Sequence, residues 1–143
     1  MNTLYLMQGI PASGKSTVAQ AIALTSEKSI ILSTDEFWYD ENGRYVYVAD
    51  HAGQAHAWNQ RRCVSALLSG EYDTIIIDNT NTTQKEADPY IALAKMYGYE
   101  VSVIRVQVPW EVCWERNQQR PADRIVPYDA MRRYWSRIEV INV

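Results

Sequence analysis

The sequence predicts a parallel, three-layer α/β domain whose sheet has about four to five strands. Short apolar runs at 3–7, 28–33, 74–78 and 101–106 alternate with longer stretches of helical pattern. The runs are dense in Ile, Val and Leu, as strands buried on both faces require. The alternation itself implies crossover connections and helices layered on the sheet. One domain is expected over 1–143, with a lid at about 116–126.

Thr3-Leu4-Tyr5-Leu6-Met7 is the first strand, and Gly9-Ile10-Pro11-Ala12-Ser13-Gly14-Lys15-Ser16-Thr17 follows it. The second stretch fits G-x-x-x-x-G-K-[ST], and the Ala- and Leu-rich residues 17–24 continue it as a helix. Strand, Gly-rich turn and helix N-terminus together aim backbone N–H groups at phosphate oxygens. Gly9 and Gly14 are expected to admit a phosphate where a Cβ would intrude. Pro11, Ala12, Ser13 and Thr17 complete the loop around a bound ATP. In this pattern Lys15 reaches the β- and γ-phosphates and the Ser16 hydroxyl ligates Mg²⁺.

Residues 28–33 form the second strand and lead to Ser33-Thr34-Asp35. A polar, aromatic connection follows, with a turn at Glu41-Asn42-Gly43 that would close a small hairpin onto 44–48. Residues 52–68 read as a long helix ended by Gly70. Thr74-Ile75-Ile76-Ile77-Asp78 is the most β-branched run. Thr82 or Thr83 caps the helix that follows, and Gly98 closes it. After the fourth strand, Pro109 starts another helix. Residues 116–124 are charged and broken by Pro121, and 129–138 form an amphipathic helix. The spacing assigns no structure to 139–143.

Of the 143 residues, 47% are hydrophobic and 22% charged, ordinary values for a soluble globular domain. The start lacks a basic, apolar leader and no run is long enough to span a membrane, so a cytoplasmic protein is expected. Cys63 and Cys113 are expected to be buried thiols. His51 and His56, five apart, have the wrong spacing for two ligands on one helical face. The net charge of −3 conceals an asymmetry: 1–100 holds seven basic and twelve acidic residues, 101–143 seven arginines and five acids. That arginine excess suits a short contact with phosphate, such as one end of a strand, rather than a duplex-binding face.

The accessory residues narrow the chemistry. No Asn-Lys-x-Asp guanine reader is present, and the chain is short for a motor-type ATPase, which leaves a small kinase. Asp35 is the candidate general base for a substrate hydroxyl, although its position also suits a turn or helix cap. Asp78 ends its strand where a carboxylate holds Mg²⁺ or its waters, or caps the junction. Arg116, Arg120 and Arg124 recur every four residues and would share one face if the segment were helical. A cover carrying them would stabilise charge on the transferred phosphate and exclude water. They would otherwise be a solvated face paired with Glu115 or Asp123. Phe37, Trp38, Tyr39, Tyr45, Tyr47 and Trp58 offer stacking surfaces for a base, or pack the connection onto the sheet.

In chain order, Gly-Ile-Pro-Ala-Ser-Gly-Lys-Ser-Thr, Ser-Thr-Asp-Glu-Phe, Ala-His-Ala-Trp-Asn-Gln, Ile-Ile-Asp-Asn-Thr-Asn and Arg-Asn-Gln-Gln-Arg span about 3–134. This set resembles the P-loop kinase module of polynucleotide 5′-hydroxyl kinases of the T4 type. The resemblance implies ATP·Mg²⁺ on Lys15 and Ser16, Asp35 as base for a 5′-hydroxyl, and Arg120 as lid residue. It also implies Arg116 near the adenine or the phosphates and Thr80 beside the acceptor nucleotide. Two positions depart from the family: Thr34 and Trp38 stand where the T4-type enzyme has arginines. Trp38 would then hold the acceptor by stacking, or the acceptor would be a small hydroxyl compound such as a nucleoside, a modified base or an antibiotic.

Overall fold

A computed structural model describes residues 1–143. Four parallel strands, β1 (Thr3–Gln8), β2 (Ser29–Leu32), β3 (Thr74–Ile77) and β4 (Glu100–Arg105), form one sheet in the order β2-β3-β1-β4. Thr3 pairs with Thr74 on one side of β1 and with Glu100 on the other. The expected sheet is therefore present with four strands. All four residues of β3 are buried, as its unbroken β-branched run requires.

Because successive side chains alternate across a strand, β1 feeds two cores. Leu4 and Leu6 join Leu32, Ile75 and Ile77 beneath α2 (Ala52–Ser69) and α3 (Gln84–Met96). Met7 and Ile76 face the other way, onto Ala19 of α1 (Lys15–Ala23). A third cluster, around Ile10, Cys113 and Met131, joins the phosphate loop to α4 (Trp110–Gln118) and α5 (Tyr128–Arg137). Both cysteines are buried thiols. No helix is long and apolar enough to cross a membrane.

The local signals work as the residue types dictate. Gly70 takes a left-handed φ of 68° after α2, and the Thr83 hydroxyl accepts the Glu86 N–H at the start of α3. The hairpin at Glu41-Asn42-Gly43 is closed by the Asp40 carboxylate, which accepts from the N–H groups of Asn42 and Arg44 at 2.8 and 2.9 Å. Its ladder is a single Tyr39–Tyr45 bridge rather than a full strand pair.

The tail is docked. Glu139 N–H donates to the Thr82 carbonyl at 2.8 Å, the Gln84 side chain brackets both backbone groups of Asn142, and Ile141 enters the main core. Gln8 completes the tie by donating to the Glu139 carbonyl at 2.6 Å.

Candidate active site

The phosphate loop leaves β1 at Gly9 and enters α1 at Lys15, with Ala12 and Gly14 at φ of 66° and 94°. Gly14 has the left-handed backbone that glycine adopts without strain. Gly9 is required for a different reason from the one its motif suggests. A Cβ there would lie 2.6 Å from Ser13 Oγ and 2.9 Å from the Val106 carbonyl oxygen. The chain's own atoms, rather than a ligand, exclude a side chain.

Asp78, at the C-terminal end of β3, organises the loop from below. Its carboxylate receives the Lys15 ammonium at 2.9 Å on one oxygen and the Ser16 hydroxyl at 2.8 Å on the other. Next to it, Asn79 accepts the Thr34 N–H at 2.9 Å, which fixes the 3₁₀ turn Thr34–Trp38 against the end of β3. Asn81, at φ 45°, donates to the Met7 carbonyl at 2.7 Å. The Asn79-Thr80-Asn81 link thus ties together the ends of β1, β2 and β3. The sequence marked it as a polar connection and did not reveal this clasp.

That turn presents Asp35 to a cavity of about 830 Å³ that the phosphate loop also lines. Asp35 is exposed and Ser33 caps the turn instead, accepting the Asp35 N–H at 3.3 Å. Thr80, Tyr45, Tyr47 and Tyr134 also line this cavity, as do Arg116, Arg120 and Arg124. Tyr134 was not singled out in the sequence, where it is one aromatic on an amphipathic helix.

Trp38 is not on this wall. It is buried at 6% exposure and packs edge-on against Phe37 and Tyr47, so it supports the cavity from behind and offers no stacking face to a ligand. Thr34 is buried as well.

The arginines reach the cavity without sharing a helical face. Only Arg116 is in α4; Pro121 follows the end of that helix, and Arg124 ends a separate 3₁₀ turn, Ala122–Arg124. Arg116 donates to the Ser13 carbonyl at 3.4 Å, over the phosphate loop. Arg120 is half-buried and has no carboxylate partner. Burial and the nearby Arg124 charge both push its pKa down, with Asp35 opposing. Arg124 lies farthest across, 3.4 Å from Asp35 Oδ2 and 2.8 Å from the Tyr39 hydroxyl. Burial, then the Asp35 charge, pushes the Tyr45 hydroxyl up to about 12.

Buried Asn117 closes the loop that carries these side chains. Its amide donates to the Val126 carbonyl at 2.8 Å and accepts the Val126 N–H at 3.0 Å. Trp110, Trp114 and Tyr128 pack against one another on the helices flanking the loop.

Comparison with known proteins places this geometry. The model of a family described as an AAA domain matches residues 4–139. NEDD4-binding protein 2 of Homo sapiens is 41% identical over 98 residues, 68% of this chain but only 5% of that protein's length. A chain in the structure of the Pnkp1/Rnl/Hen1 RNA repair complex superposes with a TM-score of 0.75 at 18% identity, over 96% of this chain and 44% of that one. Kti12 of Chaetomium thermophilum, solved with ADP-AlF3, gives 0.72 at 20% identity, over 97% and 81%. These likenesses establish an α/β P-loop NTPase-like fold.

Proposed function

The chain belongs to this AAA domain family, and on that premise we propose that it is an ATP-dependent phosphotransferase. Its acceptor is the 5′-hydroxyl end of a DNA or RNA strand, with Asp35 as general base and Arg120 as lid residue. One observation carries the reading: a single cavity joins the phosphate loop, an exposed carboxylate and a half-buried arginine without an anionic partner. The likeness to a chain of an RNA repair complex supports the choice of acceptor.

Backbone N–H groups of the loop and Lys15 hold the triphosphate, with Pro11, Ala12, Ser13 and Thr17 shaping the loop around it. Arg116 lies over the same loop and extends the donor side. Ser16 Oγ and the Asp78 carboxylate, 2.8 Å apart, are hard oxygen donors of the kind Mg²⁺ accepts beside phosphate oxygens and water. Bound there, Mg²⁺ would neutralise charge on the β- and γ-phosphates. The acceptor oxygen enters beside Thr80. Its lone pair forms the new bond to the γ-phosphorus as the bond to the β–γ bridging oxygen breaks. ADP leaves with that electron pair, and Asp35 takes the hydroxyl proton. Arg120 meets the charge on the equatorial oxygens, and the segment 116–126 acts as the lid that keeps water out.

A second acceptor class is favoured by the burial of Thr34 and Trp38. The turn that carries Asp35 offers no cation of its own, which suits an uncharged small hydroxyl compound. Incubation with γ-labelled ATP and 5′-hydroxyl oligonucleotides, a nucleoside panel, or no acceptor separates the two. Label on the oligonucleotide supports the first reading and label on a nucleoside alone the second. ATP hydrolysis without label on any hydroxyl overturns both.

A further inference from the structure

Asn59 interrupts the buried face of α2. The other buried residues of that helix are Ala55, Cys63, Ala66 and Leu67, yet Asn59 is itself 0% exposed. Asparagine is a poor helix former, and burying its amide is costly unless hydrogen bonds compensate. It belongs to the segment Ala-His-Ala-Trp-Asn-Gln, no residue of which lines the phosphate-loop cavity. The hydrogen bonds of Asn59 lead instead to the turn Thr34–Trp38, by two routes. On the first, its amide donates to the Tyr90 hydroxyl at 3.0 Å, and Asn79 donates to the same hydroxyl at 3.4 Å. Asn79 Oδ1 in turn accepts the Thr34 N–H at 2.9 Å. On the second, Asn59 Oδ1 accepts from Arg62 at 3.5 Å, and Arg62 pairs with Glu36 at 3.1 Å. The other Glu36 oxygen accepts the Ser33 N–H at 3.2 Å. The routes end at Thr34 and Glu36, on either side of Asp35.

We infer that Asn59 and Tyr90 are positioning residues for the candidate base, an inference that rests on the phosphotransferase reading above. They act by fixing the turn that presents Asp35 to the cavity. Asp35 does little to hold itself, since its exposed carboxylate makes one hydrogen bond, the 3.4 Å contact with Arg124. The turn is a 3₁₀ helix of five residues, whose internal hydrogen bonds are of poor geometry. Its orientation must therefore come from outside. The Tyr90 hydroxyl is where α2, α3 and the link after β3 meet, so one oxygen sets the turn against the sheet. Tyr90 is 1% exposed, and a hydrogen-bonded network kept from water holds its members more firmly than the half-exposed Arg62–Glu36 pair does. A base must lie within hydrogen-bond reach of the acceptor hydroxyl, which makes transfer sensitive to this scaffold.

The test compares the full-length protein with Tyr90→Phe and Asn59→Leu. Transfer from labelled ATP to a 5′-hydroxyl oligonucleotide and to a nucleoside gives kcat and KM, and equilibrium binding of ATP gives donor affinity. Tyr90→Phe keeps the ring in the core and removes only the shared oxygen. It should lower kcat by ~10-fold to ~10²-fold, the scale of a misplacement of about 1 Å, with ATP affinity unchanged. Asn59→Leu should act in the same direction, and the double variant should lose little more than the worse single one. Amide hydrogen exchange reads the scaffold without turnover. The Thr34 N–H should exchange faster in both variants while the phosphate-loop amides keep their wild-type rates. If Asn59→Leu fails to fold, Tyr90→Phe decides alone. A wild-type kcat in Tyr90→Phe overturns the inference and leaves the phosphotransferase standing. So does a fall in kcat matched by an equal loss of ATP affinity, which marks general loosening. No transfer by the wild type to either acceptor removes both.

Discussion

Lys15 and Asp78 meet at 2.9 Å with side-chain exposures of only 13% and 8%. The pair joins the first residue of α1 to the end of β3 and is the anchor of the phosphate loop. Removing one member of a buried pair leaves the other charge uncompensated, at a cost of about 3–5 kcal/mol. Asp78→Asn keeps an oxygen that can accept from Lys15 but removes the anion that compensates its ammonium. Urea unfolding should show a loss of about 3 kcal/mol for Asp78→Asn. Lys15→Met combined with Asp78→Leu should cost clearly less than the sum of the single changes. Additive losses would mean that the two side chains do not interact.

Asp35 and Arg120 are expected to separate chemistry from binding. Asp35→Ala should abolish transfer while ATP affinity stays near wild type, because the carboxylate contacts Arg124 and no residue of the loop 9–17. Arg120→Ala should lower kcat by ~10²-fold or more, the usual effect of losing one group aimed at transition-state charge. Weakened ATP binding with transfer intact would remove Asp35 from the role of base. A wild-type rate would remove Arg120 from the site.

The parts legible in the sequence are those in which a local rule forces the residue type. The loop 9–17, the four-residue apolar β3, the Thr83 cap and the Gly70 stop all follow from backbone geometry or strand burial within a few positions. The parts that were not legible depend on contacts between distant positions. Trp38 is three residues from the candidate base in sequence, yet whether it faces a ligand or the core is decided by Tyr47, across the hairpin. The four-residue spacing of the arginines suggested a helical stripe, but Pro121 breaks it and the loop itself brings them together. The tail has no periodicity because Gln8, Thr82 and Gln84 hold it largely by its backbone.

Asn117 should control the loop that bears Arg120 and Arg124. Asn117→Leu keeps the γ-branched outline but leaves both polar groups of Val126 unpaired. Each lost hydrogen bond costs about 1 kcal/mol, so a total near 2 kcal/mol is expected. The loop should also open more often, which trypsin cleavage after Arg124 would report as a faster cut. Unchanged cleavage would show that the flanking Trp110, Trp114 and Tyr128 packing holds the loop by itself.

Gly9→Ala tests why the first glycine of the motif is needed. The new methyl meets a side-chain oxygen at 2.6 Å and a backbone oxygen at 2.9 Å. Ser13 can be trimmed, but the Val106 carbonyl is backbone of the chain leaving β4 and cannot be. A loss of about 2 kcal/mol is expected, within the range for overpacking. Adding Ser13→Gly should recover less than half of it. Full recovery would locate the clash in the serine alone.

Alkaline pH should unfold the protein through groups that burial keeps protonated. Burial pushes the Cys63 thiol from near 9 up to about 12 and the Tyr45 hydroxyl from near 10 up to about 12. Tyr90, Tyr99, Tyr134 and Cys113 are pushed in the same direction, each mainly by burial. Above pH 9 the unfolded chain therefore releases protons that the folded chain retains. It binds fewer protons than the native state, so stability falls as pH rises. The contribution is fully present below pH 9 and is lost progressively as pH climbs to about 12. Unfolding free energies measured at steps across that window should decline, and Cys63→Ala should make the decline shallower whatever it does to the starting stability. An unchanged slope in that variant would mean that Cys63 ionises as readily in the folded protein as in the unfolded chain.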